Sequence, residues 1–175
     1  MNSPRSRSLL LSAALLAGLA CQALAQHHEA SAKPSQLDLM KKLAGDWTGK
    51  GKDGMQEFDA KVNYKVTSGG SAVVETIDPG GQHEMVTIYT MDGDDLVLTH
   101  YCMLGNQPRM KAEKGTPHKL VFKFVGGGNL KSEKDDHMHD MTLEWIDADH
   151  IKADWSFYKD GKSTMHAVFD LTRKK

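Results

Sequence analysis

An all-β fold is what this sequence predicts: an antiparallel up-and-down barrel of about ten strands behind one short helix. Three observations predict it. From Trp47 onward apolar and polar residues alternate with a period of two. Turn signals rich in Gly, Asp and Asn punctuate the chain at short intervals, with no helical stretch between them. A meander of that length with one oily face cannot lie flat in water, so it closes on itself or splits into two packed sheets. Closure also removes the unpaired edge strands, which makes the barrel the expectation and a two-sheet sandwich the alternative.

The elements follow in order. Arg5 and Arg7 precede an apolar run from Leu9 to Ala20, and Ala23-Leu24-Ala25 reads as a cleavage site, so residues 1–25 read as a signal peptide. The run is too short for a permanent membrane helix. The expected location is therefore outside the cytoplasm, periplasmic or secreted, with lipid attachment at Cys21 a minority alternative. Residues 26–35 are small and polar, a flexible linker. The domain then occupies 36–175. Ser35 reads as an N-cap with Asp38 at the third helical position; Leu37, Met40 and Leu43 recur at helical spacing, and Gly45 closes the helix.

Strands are expected over 47–52, 58–67, 71–77, 83–91, 95–103 and 107–113, then over 119–125, 137–146, 150–158 and 163–172. Asp92-Gly93-Asp94 reads as a hairpin turn, and Gly126-Gly127-Gly128 reads as a break.

Composition narrows the function. The chain has 175 residues with 22 basic and 23 acidic side chains interspersed, for a net charge of -1. Nothing in that balance points to nucleic acid or to an anionic membrane surface. No Gly-x-Ser-x-Gly elbow, P-loop or dinucleotide fingerprint is present. Cleavage after Ala25 leaves Cys102 alone, unable to form an internal disulfide. Nothing names a cofactor.

The stretch Leu43-Ala44-Gly45-Asp46-Trp47-Thr48-Gly49-Lys50-Gly51 resembles the Gly-x-Trp opening of calycin barrels, the lipocalins and their relatives. That resemblance implies a Trp starting the first strand after a short helix and packing across the closed end. The segments 64–76, 83–89, 91–102 and 105–110 are similar to uncharacterised exported bacterial lipocalin-like proteins, and together the likeness spans roughly residues 37–125. The Gly-rich stretch around Trp47 also resembles nitrobindin-type haem barrels. In those, a His near the C-terminal end holds the haem, and His166 is the comparable residue. The resemblance implies a fold and carries no function with it.

A barrel of this size commonly holds one small molecule on an apolar wall with a few polar groups. Phe58, Tyr64, Leu98, Trp155 and Phe169 are candidates for the wall, with Tyr89 in phase with Met85, Thr87 and Met91. His83 and His100 flank one hairpin and are expected near the same end of the barrel, with Arg109 returning there on the next strand. With Tyr101 beside His100, a His-Tyr-Arg mouth of that kind could take a carboxylate, or its members could simply bond one another. His137 and His139 form an H-x-H on one strand, a spacing that can hold zinc or copper given a third ligand.

The leading expectation is a barrel that binds a small apolar or amphipathic molecule. A haem or metal protein, or an enzyme, on the same scaffold is the alternative, with His100 and the His137/His139 pair as its candidates. A filled barrel acting through its surface is a third reading.

Overall fold

The computed structural model describes residues 35–175. The expected signal peptide over 1–25 and all of the expected linker but Ser35 lie outside the described residues. Ten antiparallel strands form one closed barrel, each bonded to its neighbours in sequence, with β1 and β10 completing the circle.

The helix α1 spans Gln36–Lys41. Ser35 caps it: its hydroxyl accepts from the Asp38 amide, and the Asp38 carboxylate accepts from the Ser35 amide at 2.9 Å. The helix stops at Lys41, short of Gly45. Its apolar side, Leu37 and Met40, packs with Leu43 into the core over the ends of β3, β4 and β5.

The strands are β1 (Gly45–Asp53), β2 (Gln56–Thr67), β3 (Ala72–Ile77), β4 (Met85–Asp92) and β5 (Asp95–Tyr101). They continue as β6 (Gln107–Ala112), β7 (Lys119–Gly128), β8 (His137–Trp145), β9 (His150–Lys159) and β10 (Lys162–Arg173). The period-two pattern places Ala60, Val62 and Tyr64 inward on β2, and Ala167, Phe169 and Leu171 inward on β10. Two expectations change. His83 lies in the loop before β4 rather than on it. The Gly126-Gly127-Gly128 run does not break its strand but continues β7 against Gln107 and Pro108. A Cβ on Gly127 would meet the Gln107 carbonyl and the Pro108 Cα, so glycine lets the two backbones approach.

The α1 end is closed by Trp47, which is fully buried and donates its indole N–H to the Leu43 carbonyl at 2.8 Å. Arg173, at the end of β10, lies over the Trp47 ring with its guanidinium carbon 4.3 Å from the centroid. The same guanidinium donates to the carbonyls of Lys42 and Ala44, each at 2.8 Å. One cation thus ties the last strand to the helix-to-β1 corner. Glycines at 49 and 51 make β1 thin. A Cβ on Gly49 would run into the Asp170 carbonyl, and one on Gly51 into the Phe58 ring. No described helix is long and apolar enough to cross a membrane.

Candidate functional site

The inside of the barrel divides into two halves. On the α1 side large side chains fill it: Trp47, Tyr89, Leu98, Met110, Phe122 and Leu143 are all essentially inaccessible. Toward the opposite end the filling stops, and a cavity of about 590 Å³ opens, within the range usual for small-molecule sites. Its wall is mostly apolar and aromatic, with Phe58 and Phe169 meeting edge to face at 5.9 Å.

Two register shifts shape one side of that wall. On β8 His139 is an extra residue, so that Met138 pairs with Phe157 while Asp140 pairs with Ser156. On β10 Thr164 is passed over in the same way, and Met165 pairs with Phe157. Met138, Phe157 and Met165 therefore form one row, and all three line the cavity. The bulge breaks the period-two rhythm on β8, so that Met138 rather than His139 enters the cavity wall. Thioethers beside aromatic rings give a soft wall that adapts to shape.

The polar groups lie at two depths. The rim carries Asp53, Asp59 and Asp78 against Lys61, with His83 exposed among them. Apolar residues project beyond it on the loops at this end: Met55 is 99% exposed and Met103 is 62% exposed. At the inner end sits His100, 1% exposed, its ring tilted against Trp155 with centroids 4.9 Å apart. Thr87 lies directly across the β4–β5 ladder, and its hydroxyl is 2.9 Å from His100 Nδ1. His100 Nε2 is buried and has no hydrogen-bond partner among the described residues. Burial disfavours the imidazolium and lowers the pKa of His100 to about 4, so the ring is neutral near pH 7.

Behind His100, in the filled half, is a buried carboxyl. Glu75 faces Thr87 across β3–β4 and is 3% exposed. Tyr64 donates to Glu75 Oε1 at 2.7 Å and Tyr89 to Oε2 at 2.8 Å. Burial raises the carboxyl's pKa, while the hydroxyls of Tyr64, Tyr89 and the neighbouring Thr87 pull it back. Both tyrosines are held well above their usual range by burial and by the neighbouring carboxylate, so they stay protonated donors.

The structure therefore sorts the candidates from the sequence. Phe58, His83, His100 and Trp155 line one cavity, and His83 and His100 do lie toward the same end. Tyr64 and Tyr89 are inward but lie beneath the cavity floor, bonded to Glu75. Arg109 does not join them: its guanidinium is on the exposed face, 2.6 Å from Asp92. Tyr101 is also exposed, at the outer surface. The His-Tyr-Arg mouth is thus not assembled, because residues adjacent along a strand face opposite sides of the sheet.

His137 and His139 lie outside the cavity lining, where the β7–β8 ladder ends at Phe122–Met141. Their rings are 5.4 Å apart; His139 stacks on Tyr158 at 3.8 Å, and His137 Nδ1 contacts the Asp135 carbonyl at 2.6 Å. Among the described residues no three His, Cys, Asp or Glu side chains converge as a metal site would require.

Glu75 and Thr87 are the buried polar residues behind the cavity that were not singled out from the sequence. A signal for Glu75 was present: it is in phase with Val73 and Ile77 on a strand whose inner face is otherwise oily. Compared with known families and with curated proteins, the chain matches no family model and no curated protein.

Proposed function

We propose that this chain is an exported binding barrel of the calycin type that carries one small, largely apolar molecule in its half-open interior. The observation that carries the reading is the cavity of about 590 Å³ in an otherwise close-packed barrel, walled by aromatic rings and thioethers. The export part of the proposal draws on the Arg5/Arg7 region, the Leu9–Ala20 run and the Ala23-Leu24-Ala25 site. The apolar loop tips at Met55 and Met103 suit transfer of such a molecule to and from the cavity. The acidic bias of the rim and the outward placement of Arg109 favour an uncharged ligand over a carboxylate. The alternative metal site draws less support, since the His137 and His139 rings are engaged with aromatic side chains.

Titration with the uncharged dye N-phenyl-1-naphthylamine tests the reading. Fluorescence is expected to rise with one-to-one stoichiometry and to quench Trp155. Ala167 faces the cavity from β10. Ala167→Phe is expected to weaken uptake about tenfold or more while leaving the circular dichroism spectrum intact. Uptake unchanged in that variant would place the dye elsewhere and remove the proposal's main support. Native mass spectrometry of protein purified from an expressing host is expected to show an extractable adduct of small mass. A Soret band in the same preparation would replace this reading with the haem alternative.

A further inference from the structure

We infer that the molecule held in this cavity is a compact aromatic ring system rather than an alkyl chain. The inference rests on the binding reading above and names the class of molecule that this wall selects.

The wall differs in kind from the core beside it. Three of the chain's five phenylalanines, Phe58, Phe157 and Phe169, line the cavity together with Trp155. Four of its ten methionines, Met85, Met103, Met138 and Met165, line it too. Branched aliphatic side chains are scarce there: Ile77 and Leu104 are present, and among the described residues no valine is. Val73, Leu98, Leu120 and Leu143 lie instead in the close-packed core. Burial of apolar area alone does not sort residues this way, since valine and leucine serve it as well as phenylalanine and methionine. Rings and thioethers add direction. Aromatic edges and faces attract one another beyond the area they bury, and a thioether sulfur is drawn to a ring edge. A saturated ligand can use neither.

The geometry offers both contacts. Phe58 and Phe169 stand edge to face, 5.9 Å apart and 78° to one another, so this part of the wall holds rings in both orientations. At the inner end the His100 and Trp155 rings are 4.9 Å apart and tilted by 43°. Phe157 is the ladder partner of Met138 on one side and of Met165 on the other, so one ring is flanked by thioethers across three strands. The cavity is also short. Its lining includes Met165, Ala167 and Phe169 on β10, and Gln56, Phe58 and Ala60 on β2. Each set spans about 13 Å along its strand, and strand tilt shortens that depth along the barrel axis. A volume of about 590 Å³ in so short a space is broad rather than tubular. A fused ring system fills a broad space, whereas a long alkyl chain must fold back or emerge into water. The chain also loses rotational freedom on confinement, a cost that a rigid ring avoids.

Three uncharged primary alcohols of equal carbon number separate the possibilities in calorimetric titrations: 2-naphthalenemethanol, decahydronaphthalene-2-methanol and 1-undecanol. Their polar group is the same, so only the apolar body differs. Transfer from water alone ranks the open chain first and the aromatic alcohol last, in the order of their apolar surface. The wall is expected to reverse that order. The naphthalene alcohol is expected to bind roughly three- to tenfold more tightly than either saturated one, the worth of one or two ring contacts. Phe58→Leu combined with Phe157→Leu removes two rings from partly exposed positions, so the fold is expected to hold. The double variant is expected to shrink the aromatic advantage to about twofold or less, while the decahydronaphthalene alcohol keeps nearly its original affinity. Methyl NMR of the methionines in the wild-type protein supplies a check that does not depend on the variant's folding. Ring currents from the bound naphthalene are expected to shift the Met138 and Met165 methyls and to leave Met40, buried under α1, unmoved. Equal or tighter binding of either saturated alcohol, or an aromatic advantage that survives the double variant, would overturn the inference while leaving the cavity reading in place. Wall methionines that none of the three alcohols moves would remove both.

Discussion

At the scale of single residues, the protein concentrates its risk in a few buried polar atoms. Glu75 is the clearest case. Removing it by Glu75→Ala leaves the Tyr64 and Tyr89 hydroxyls buried without their acceptor, and the loss is expected to be about 3 kcal/mol or more in urea unfolding. Replacing all three polar groups together, as Tyr64→Phe, Glu75→Leu and Tyr89→Phe, is expected to cost much less than the single change, because no orphaned group remains. A triple variant as unstable as Glu75→Ala would show that the cluster contributes net stability rather than only avoiding a penalty. His100 supplies a pH dependence whose sign follows from its environment. Its pKa falls from 6.5 to about 4 on folding. Between those values the unfolded chain binds more protons than the folded one, so stability is fully present above pH 6.5 and is lost as pH falls through 4. That loss amounts to about 3 kcal/mol. Glu75 works in the opposite sense, since its raised pKa returns stability as acid neutralises it. The two are separated by comparing wild type with His100→Leu. The variant is expected to gain on the wild type by about 3 kcal/mol between pH 7 and pH 4, and a constant difference across that window would show that His100 is not buried neutral.

At the scale of elements, the alternation of oily and wet residues was enough to place all ten strands, with ends displaced by three residues at most. It could not show bulges, because a single extra residue leaves the local composition unchanged while inverting every side chain beyond it. That is why Met138 and not His139 enters the cavity. Arg109 missed the mouth for a different reason: it pairs with Thr99, one position from His100, but lies on the outer face between the buried Pro108 and Met110 and meets Asp92 there. Glu75 was legible in phase but reads as a surface residue unless its tyrosine partners, eleven and fourteen residues away, are seen to converge on it. The Gly-x-Trp segment carried more than its composition suggested. Its Trp47 does close the α1 end, with Arg173 as its cover. Arg173→Ala is expected to cost about 2 kcal/mol, since it removes a cation over an aromatic ring and two donors from the Lys42 and Ala44 carbonyls. Arg173→Lys is expected to recover only part, because an ammonium cannot span both carbonyls while lying flat on the ring. Thermal unfolding of the two variants checks the order, and equal stability of Arg173→Lys and wild type would reduce the contact to a simple charge effect.

At the scale of the whole molecule, nine of the ten strand pairings are hairpin neighbours, and only β1 with β10 joins residues from opposite ends of the domain. Most of the sheet can therefore form from local contacts, while closure pays the loop entropy of the whole meander in one step. Closure also creates the cavity wall, since Met165, Ala167 and Phe169 come from β10. An open sheet would expose the edges of β1 and β9 together with that unfilled interior. Deleting residues 162–175 is thus expected to abolish both dye uptake and the cooperative unfolding transition, and to drive association of the truncated chains. A synthetic peptide of residues 162–175 added in excess is expected to restore part of the uptake, because it can pair with both edges at once, as an added strand does in other sheets. If the truncated chain instead stayed monomeric and unfolded cooperatively, the last strand would be an accessory cover. The cavity would then have to be treated as a groove on an open sheet rather than the interior of a barrel.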